Sequence, residues 1–223
     1  MFNFLTKNQA NKQPLVKEYR KYIKKSDVVI QQILEEFVTE KILINTGRLM
    51  GITEGNTLIF QAESEMSFVN DFTLFEYRVA GQNFLEIYKE KAENLSTEEA
   101  EIIENALLSF TSLFKIIEIE PDKGLLRLND LLNKDKEFQL LNLNLSKTAK
   151  PGLLIFTRLI PFHDFYTTSG MFAGFAPQSD KYLLKRYKVM KKKVKSEVDS
   201  IQKFIALFKL NRIEGLETKT VDF

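Results

Sequence analysis

Apolar residues in the first half of the chain recur at intervals of three and four positions, which is the period of an α-helix. Similar stripes cover residues 62–79, 80–91 and 96–111. The first stripe consists of Leu15, Tyr19, Tyr22, Val29, Ile33 and Phe37. The pattern therefore predicts a helical region over residues 1–111.

Local signals refine the ends of these helices. Pro14 suits the first turn of a helix over residues 14–50, because that turn does not need its N–H. The tetrapeptide "KKSD" at 24–27 is a point where this helix can break and where a second helix, capped by the serine or the aspartate, can begin. Ser96 marks another helix start, because two glutamates follow it in the first turn.

From about residue 112 the apolar period changes to two, which is typical of β-strands. The turn "PDKG" at 121–124 combines a proline that presets one dihedral with a glycine that accepts a positive φ. The pattern predicts a small five-stranded antiparallel sheet or barrel over residues 112–177. Its strands are "SLFKIIEIE", "LLRLNDLL", "FQLLNLNL", "LLIFTRLIPF" and "FYTTSGMFAGF".

The C-terminal segment returns to the helical period and keeps it for about seven turns. We expect one long basic helix over residues 178–212 that packs on the N-terminal helices, followed by a tail at 213–223. A second copy of the chain is the alternative partner for this helix. Its stripe consists of Leu183, Tyr187, Met190, Val194, Val198, Ile201, Ile205 and Phe208. The predicted class is therefore α+β, with a helical N-terminal part, a small β-domain and a long basic C-terminal helix.

The composition excludes several kinds of chemistry. The 223 residues include no cysteine, so disulfides, thiolate zinc sites, iron–sulfur clusters and a cysteine nucleophile are absent. The start of the sequence has no apolar stretch long enough for a signal peptide, and no run approaches the roughly 20 apolar residues of a membrane span. We expect a soluble, cytoplasmic protein without a cofactor.

Charge is distributed unevenly along the chain. Residues 7–25 carry a net charge of +6 and residues 181–195 carry +8. Because the whole chain carries only +2, the remaining residues together carry −12. Two basic segments therefore flank an acidic middle, and the basic segments are the first place to look for a partner.

The stretch from about residue 49 to 177 contains Tyr77-Arg78 and Gly81 before a helix, then the strand "GLLRLNDLL", then a Pro-Gly turn that leads to "RLIPF". In these features the chain resembles a group of uncharacterised bacterial proteins, some of which also carry a SEC-C zinc motif. The resemblance implies a helical segment followed by a small β-domain, and it brings no activity or catalytic residues. The zinc motif is absent here because the chain has no cysteine.

His163 is the only histidine, and it precedes Asp164 at the end of a predicted strand. A histidine beside an aspartate can act as an acid–base pair near neutral pH. Adjacent residues of an extended chain point to opposite faces, however, and "PFHDF" between two apolar strands is typical of a hairpin turn. We interpret the segment as a turn.

Two small-residue motifs resemble phosphate sites only in part. Thr167–Ser169 lack the glycine and lysine spacing of a phosphate loop, so we interpret them as part of a strand. Gly47, Gly51 and Gly55 lack the setting of a dinucleotide fingerprint, so we assign them to helix ends and turns.

Charged residues of the predicted strands are also candidates. Glu118, Glu120 and Asp122 alternate along one hairpin and have the chemistry to bind a divalent ion, although a solvated face is the favoured interpretation. Arg127 and Arg158 can contact an anion from the sheet surface.

Aromatic residues lie on the same strands as these arginines. Phe114, Phe138 and Phe156 can stack nucleic-acid bases if the sheet is open. We favour the interpretation that they fill the core of the barrel.

The run "KRYKVMKKKVK" at 185–195 is the most informative surface feature. A Lys-rich helix face can contact an acidic protein, the phosphates of a nucleic acid or an anionic lipid surface, and its simplest interpretation is a solvated face. The candidate partner-binding residues are Lys185, Arg186, Lys188, Lys191, Lys192, Lys193 and Lys195.

Three classes of function remain open from the sequence. The first is a non-enzymatic binding or adaptor protein that contacts an acidic partner through the Lys-rich helix. The second is a nucleic-acid-binding protein that uses the β-domain and the basic helices. The third is an enzyme whose site is assembled from distant residues, and no catalytic or metal-binding motif supports it. We expect the first.

Overall fold

The computed structural model describes residues 12–133 and 136–216, and it confirms the α+β fold. Residues 1–11 and 217–223, which include the start of the predicted helical region and most of the predicted tail, lie outside the described residues. The N-terminal helices are α1 (Lys12–Phe37), α2 (Glu40–Met50), α3 (Glu65–Phe75), α4 (Phe84–Lys91) and α5 (Thr97–Leu107). A short hairpin of β1 (Thr53–Glu54) and β2 (Thr57–Leu58) lies between α2 and α3.

The helix break considered at residues 24–27 is wrong, because α1 continues through this segment and ends at Phe37. Thr39 then caps α2: its backbone is extended, with φ of −93°, and its hydroxyl accepts a 3.4 Å hydrogen bond from the Ile42 N–H. Val38 and Thr39 are both β-branched, which makes a helix weaker here than at 24–27.

The predicted helix start at Ser96 is confirmed. The Ser96 hydroxyl accepts a hydrogen bond from the Glu99 N–H, and the Glu99 carboxylate accepts one from the Ser96 N–H, which completes a capping box. Asn83 and Glu86 form the same arrangement at the start of α4.

Five strands follow α5 and close into a barrel. They are β3 (Phe110–Glu120), β4 (Leu125–Asp130), β5 (Lys136–Leu141), β6 (Leu154–Phe162) and β7 (Phe165–Phe175), with the short helix α6 (Leu145–Thr148) between β5 and β6. Gly124 ends the predicted turn between β3 and β4 with φ of +69°, as the "PDKG" pattern indicates. The predicted small β-domain is therefore present.

The barrel is not purely antiparallel. The strand order around it is β3-β4-β5-β7-β6, and β5 and β7 run parallel while the other neighbours are antiparallel. A closed ring with an odd number of strands cannot alternate direction throughout, so at least one parallel pair is required. This order, with the parallel pair between the third and fifth strands, is the Greek-key arrangement of an OB-fold barrel.

Alternation along the strands separates the barrel interior from its outer surface. The interior is filled by Phe114, Ile116, Leu126, Leu128, Leu140, Ile155 and Leu159, with Phe138 packed against them. Phe156 instead faces outward, where its ring lies 5.3 Å from that of Phe204. The assignment of Phe156 to the barrel core is therefore corrected: it belongs to the layer between the barrel and the helices.

The single C-terminal helix expected over residues 178–212 is two helices, α7 (Asp180–Lys191) and α8 (Asp199–Glu214). Contacts from Tyr182 and Arg186, near the start of α7, to Glu214, at the end of α8, make the two antiparallel. Both helices bury their stripes in one core, so the stripe keeps its helical spacing across the break. Val198, which precedes α8 in extended backbone, is 40% exposed, so the chain folds back where the stripe leaves the core.

Helix α8 lies at the centre of the molecule. Residues 204–208 are all buried, so this helix is covered on nearly every side. Its rings pack on α3, with Phe204 5.2 Å from Phe72 and Phe208 5.6 Å from Phe68. The C-terminal segment thus packs on helices of the N-terminal region through α3, while α1 packs on α5 and on the end of β6.

Candidate functional site

The Lys-rich segment of α7 is exposed along one side. Lys181, Lys185, Lys188 and Lys192 follow spacings of four, three and four, which places them on one helix face, and all four are exposed. The opposite face carries Leu183 and Tyr187 into the core. At about 1.5 Å per residue the stripe is roughly 16 Å long. We call these four residues the lysine stripe.

Two of the seven candidate partner-binding residues have ion pairs within the chain. Lys191 pairs with Asp199 at the start of α8, and Arg186 lies 3.8 Å from Glu214 at its end. The remaining five are exposed, and they make no ion pair within residues 12–133 and 136–216: Lys185, Lys188, Lys192, Lys193 and Lys195. The structure therefore places an unneutralised group of lysines beside two that hold α7 on α8.

The N-terminal basic segment is different, because part of it is neutralised by the acidic middle of the chain. Lys21 pairs with Glu98, and Lys25 lies 2.9 Å from Glu99, both at the start of α5. The hydrogen bonds from Lys25 and Ser96 lower the pKa of Glu99 to about 2. These contacts attach α1 to α5, so their first role is structural.

Comparison with known proteins places the chain in a family. Residues 13–221 match the Family of unknown function (DUF7986), which is nearly the whole chain. The chain belongs to the DUF7986 family. No curated protein and no solved structure matches it. The expected membership in an uncharacterised family is thereby confirmed, and the fold and site of this DUF7986 member are interpreted from its own residues.

His163 forms the turn of a hairpin in this DUF7986 chain, as the sequence indicated. Phe162 pairs with Phe165 across it, and His163 has a left-handed φ of +50°. Its ring lies on the outside of the barrel, 52% exposed, with Nε2 3.9 Å from Glu18 of α1. The position is that of a turn residue in contact with α1.

The face that OB-fold barrels use for ligands is formed here by β4 and β5, the second and third strands. Arg127 on β4 lies 3.0 Å from Glu118 and 3.1 Å from Glu137, so its charge is matched within the barrel. Phe114 and Phe138 face the interior, 6.1 Å apart, rather than this surface. The face therefore lacks, among the described residues, the exposed aromatic platform that base stacking uses.

The acidic hairpin considered as a cation site is engaged in ion pairs. Glu118 pairs with Arg127, and Glu120 pairs with Lys123. Within residues 12–133 and 136–216 no group of three or more histidine, aspartate or glutamate side chains is arranged to hold a metal ion. No helix of the same residues is long and apolar enough to cross a membrane.

Helix α1 lies along the barrel and contacts residues near two of its turns. The Tyr22 ring packs on that of Phe162 beside the His163 turn, with centroids 4.7 Å apart and the ring planes tilted by 50°. A cleft of about 600 Å³ separates α1 from the turn at 121–124 and the segment at 142–147. Its basic lining residues are Arg20, Lys24 and Lys147, and Asp27 and Asp122 also line it. We call this space the loop cleft.

Arg158 does not reach a surface. It is 2% exposed, and its guanidinium lies 2.9 Å from Asp71 and 2.8 Å from Glu76, both from the α3 segment. Its guanidinium carbon also lies 4.0 Å from the centre of the Phe75 ring. Burial opposes its charge, but the two carboxylates outweigh this effect and hold its pKa above the ordinary value. Arg158 therefore contacts two anionic groups, but these are carboxylates of the chain and not an external anion at the sheet surface.

The Thr167–Ser169 strand lines a partly open cavity of about 240 Å³ between α1, α3 and β7. Ser169 donates a hydrogen bond to Asp71, which ties this strand to the buried arginine. The strand interpretation is confirmed, since all three residues lie in β7. Its contact with a cavity could not be read from the sequence.

The sequence did not single out three residues that the fold places in candidate sites. Lys181 completes the lysine stripe, and its spacing of four from Lys185 was the available signal. Asp27, which is exposed, and Asp71, which is buried, line the same cavity although 43 positions lie between them. Neither aspartate stands in a recognisable ligand-binding motif, so only the packing of α1 and α3 on β7 brings them together.

Proposed function

We propose that this chain is a non-enzymatic binding or adaptor protein that docks on an acidic protein partner through α7 and the segment that follows it. The observation that carries the proposal is the group of five exposed lysines between positions 185 and 195 that make no ion pair with any residue the structure describes. Like charges this close repel one another, and a complementary acidic surface relieves that repulsion while it increases the rate of association.

Exposed apolar side chains beside the lysines favour a protein partner. Val189 is 51% exposed and Tyr182 is 49% exposed, and both lie on α7. Aromatic and apolar groups within a charged rim are typical of protein interfaces. An anionic membrane surface is the outcome to exclude, because short apolar groups beside lysines also suit a lipid headgroup layer.

The experiment compares two variants that each reverse three charges. K188E/K192E/K193E changes the α7 segment, and R20E/K24E/K147E changes the loop cleft by the same total charge. Each is used to capture partners from a nuclease-treated lysate, and the captured partner is then purified and titrated at two salt concentrations. We expect the α7 variant alone to lose an acidic protein whose affinity for the unmodified chain falls with salt. Equal capture by both variants, or transfer of binding to anionic vesicles, contradicts the proposal.

A second candidate function, nucleic-acid binding, is favoured by the loop cleft. Arg20, Lys24 and Lys147 line it, and they make no ion pair within residues 12–133 and 136–216. The cleft borders the turn at 121–124, which joins the first two barrel strands and corresponds to one of the two loops that OB-fold barrels use for oligonucleotides, an argument from fold analogy. Binding of a single-stranded oligonucleotide that R20E/K24E/K147E abolishes and K188E/K192E/K193E retains supports this candidate over the first. Equal retention by both variants removes it.

Two finer expectations belong to the same proposal. We propose a cytoplasmic location, supported by the absence of cysteine from all 223 residues. We also propose the relation to bacterial proteins that carry a SEC-C motif, supported by the motifs between residues 49 and 177. Fractionation of cells that express a tagged chain tests the first. A comparison of barrel topology with a solved structure of such a protein tests the second.

A further inference from the structure

The cavity of about 240 Å³ between α1, α3 and β7 opens to solvent beside the exposed Asp27, and its lining is unusual in its charge. Its volume lies just below the roughly 300–1,000 Å³ of pockets for drug-sized ligands, so it suits a small molecule. Asp27 from α1 and Asp71 from α3 are its ionisable carboxylates. Among the described residues that line it there is no lysine, arginine or histidine. The cavity therefore has an excess of negative charge.

The charge beneath the cavity has the same sign. Arg158 pairs with both Asp71 and Glu76, so one buried guanidinium faces two buried carboxylates. The group carries a net charge of −1 when all three side chains are ionised. Burial raises the pKa of Asp71 even though Arg158 and Ser169 lower it, and burial also raises the pKa of Asp27. A cation in the cavity would relieve this excess.

Two hydroxyl groups at the cavity are independent of the carboxylates. Thr167 is 1% exposed, and neither its hydroxyl oxygen nor that of Ser26 makes a hydrogen bond of ordinary geometry within the described residues. Thr167 does contact the phenol of Tyr19, and Ser26 that of Tyr22, and each contact lowers the pKa of the tyrosine against the effect of burial, but neither has the geometry of a good hydrogen bond. A buried hydroxyl without a good partner is destabilising, so both groups are suited to bond a ligand.

The rest of the wall is apolar and aromatic. Ile23, Ile30 and Leu34 from α1 face Leu74 and Ile160 across the cavity, and the Tyr19 and Tyr22 rings also line it. Such a wall covers a short carbon chain, and aromatic faces attract an organic cation. A hydrated metal ion gains nothing from these groups.

We infer that this cavity binds a small organic ammonium ion, with its charged end beside Asp27 and Asp71, hydrogen-bonded to Thr167 or Ser26, and its carbon chain against the isoleucines of α1. This site is independent of the lysine stripe and of the proposed partner. Because α1 forms one wall, an occupied cavity holds α1 more firmly against α3 and the barrel.

The test uses the full chain and 1,4-diaminobutane, with 1,4-butanediol as a neutral ligand of similar shape. Calorimetric titration at constant ionic strength should give saturable binding of the diamine and at least about tenfold weaker binding of the diol, because charge-assisted hydrogen bonds are the stronger ones. The melting temperature should rise with the diamine alone. Absence of saturable diamine binding, or equal binding of the diol, overturns the inference.

Three variants locate the site. Asp27→Asn should weaken diamine binding at least about tenfold, since it removes a carboxylate from the cavity wall. The matched control is Glu18→Gln, which removes a carboxylate from the same helix outside the cavity and should leave the affinity within about twofold. Thr167→Val keeps the shape of the side chain and, among the described residues, gives up only the contact with the Tyr19 phenol, so it should preserve the fold and weaken binding. Equal effects of Asp27→Asn and Glu18→Gln would show binding by general surface charge and overturn the assignment.

Discussion

Arg158 joins the barrel to α3 through buried ion pairs, which water does not reach. The side chain is buried on β6, and its partners Asp71 and Glu76 come from α3 and the residue after it. Burying three charged groups is costly, and the arrangement is stable only while all of them are paired. The sequence revealed a lysine- and arginine-rich chain, yet nothing near Arg158 distinguished it from the exposed Arg127, because their partners lie far away in sequence.

Arg158→Met should destabilise the protein by about 3–5 kcal/mol, since it leaves two buried carboxylates without a counterion. Arg158→Met/Asp71→Asn/Glu76→Gln should recover most of this loss, because no charge then remains buried. Urea unfolding followed by circular dichroism measures both. A matched change at the exposed pair, Arg127→Met, should have a small effect. A triple variant as unstable as the single one would contradict this account.

Glu99 makes the attachment of α1 to α5 dependent on pH. Its folded pKa of about 2 lies below the ordinary glutamate value, so its contribution to stability is present above that ordinary value and is lost as the pH falls toward 2. Glu99→Gln should therefore lower the melting temperature at pH 7, and the difference from the unmodified chain should shrink as the pH falls from about 4 toward 2. Glu93→Gln, at an exposed position, is the control. A difference that stays constant with pH would argue against this ion pair.

At the scale of elements, the sequence predicted the presence of helices and strands better than the positions at which a helix is interrupted. Period, turns and caps placed α3, α4, α5 and all five barrel strands, because each depends on neighbouring residues. The break between α7 and α8 escaped prediction, since both helices face one core and their stripes keep the same spacing across it. The parallel pair of β5 and β7 also escaped, because strand direction depends on barrel closure and not on any local pattern.

The break between α7 and α8 can be tested by the sign of the change in stability that one substitution causes. Val198 is the residue before α8, its backbone is extended, and its side chain makes no capping hydrogen bond. Val198→Asp should stabilise the protein by about 1 kcal/mol, because aspartate is a good N-cap and valine is a poor one. Val189→Asp, at an exposed position inside α7, should be neutral or destabilising. In a continuous helix Val198→Asp would also destabilise, so thermal melting of the two variants decides between the structures.

At the scale of the whole molecule, the two basic segments differ in how far acidic residues of the chain neutralise them. Lys21 and Lys25 are neutralised by α5, whereas the lysines between 185 and 195 are mostly open to solvent. The sequence located both segments but could not tell them apart, because their difference depends on which acids the fold brings near. The cavity between α1 and β7 was likewise invisible, since its residues come from four separate elements.

The most direct test of the central claim is lysine footprinting by acetylation in cell lysate, read by mass spectrometry against the purified chain. The account predicts that Lys185, Lys188, Lys192 and Lys193 react more slowly in the lysate, with or without nuclease, while the exposed Lys41 does not change. Nuclease-sensitive protection of Lys24 and Lys147 would point to the loop cleft and to nucleic acid. Equal reactivity of the α7 lysines in lysate and in the purified protein would contradict the claim that this segment docks on a partner.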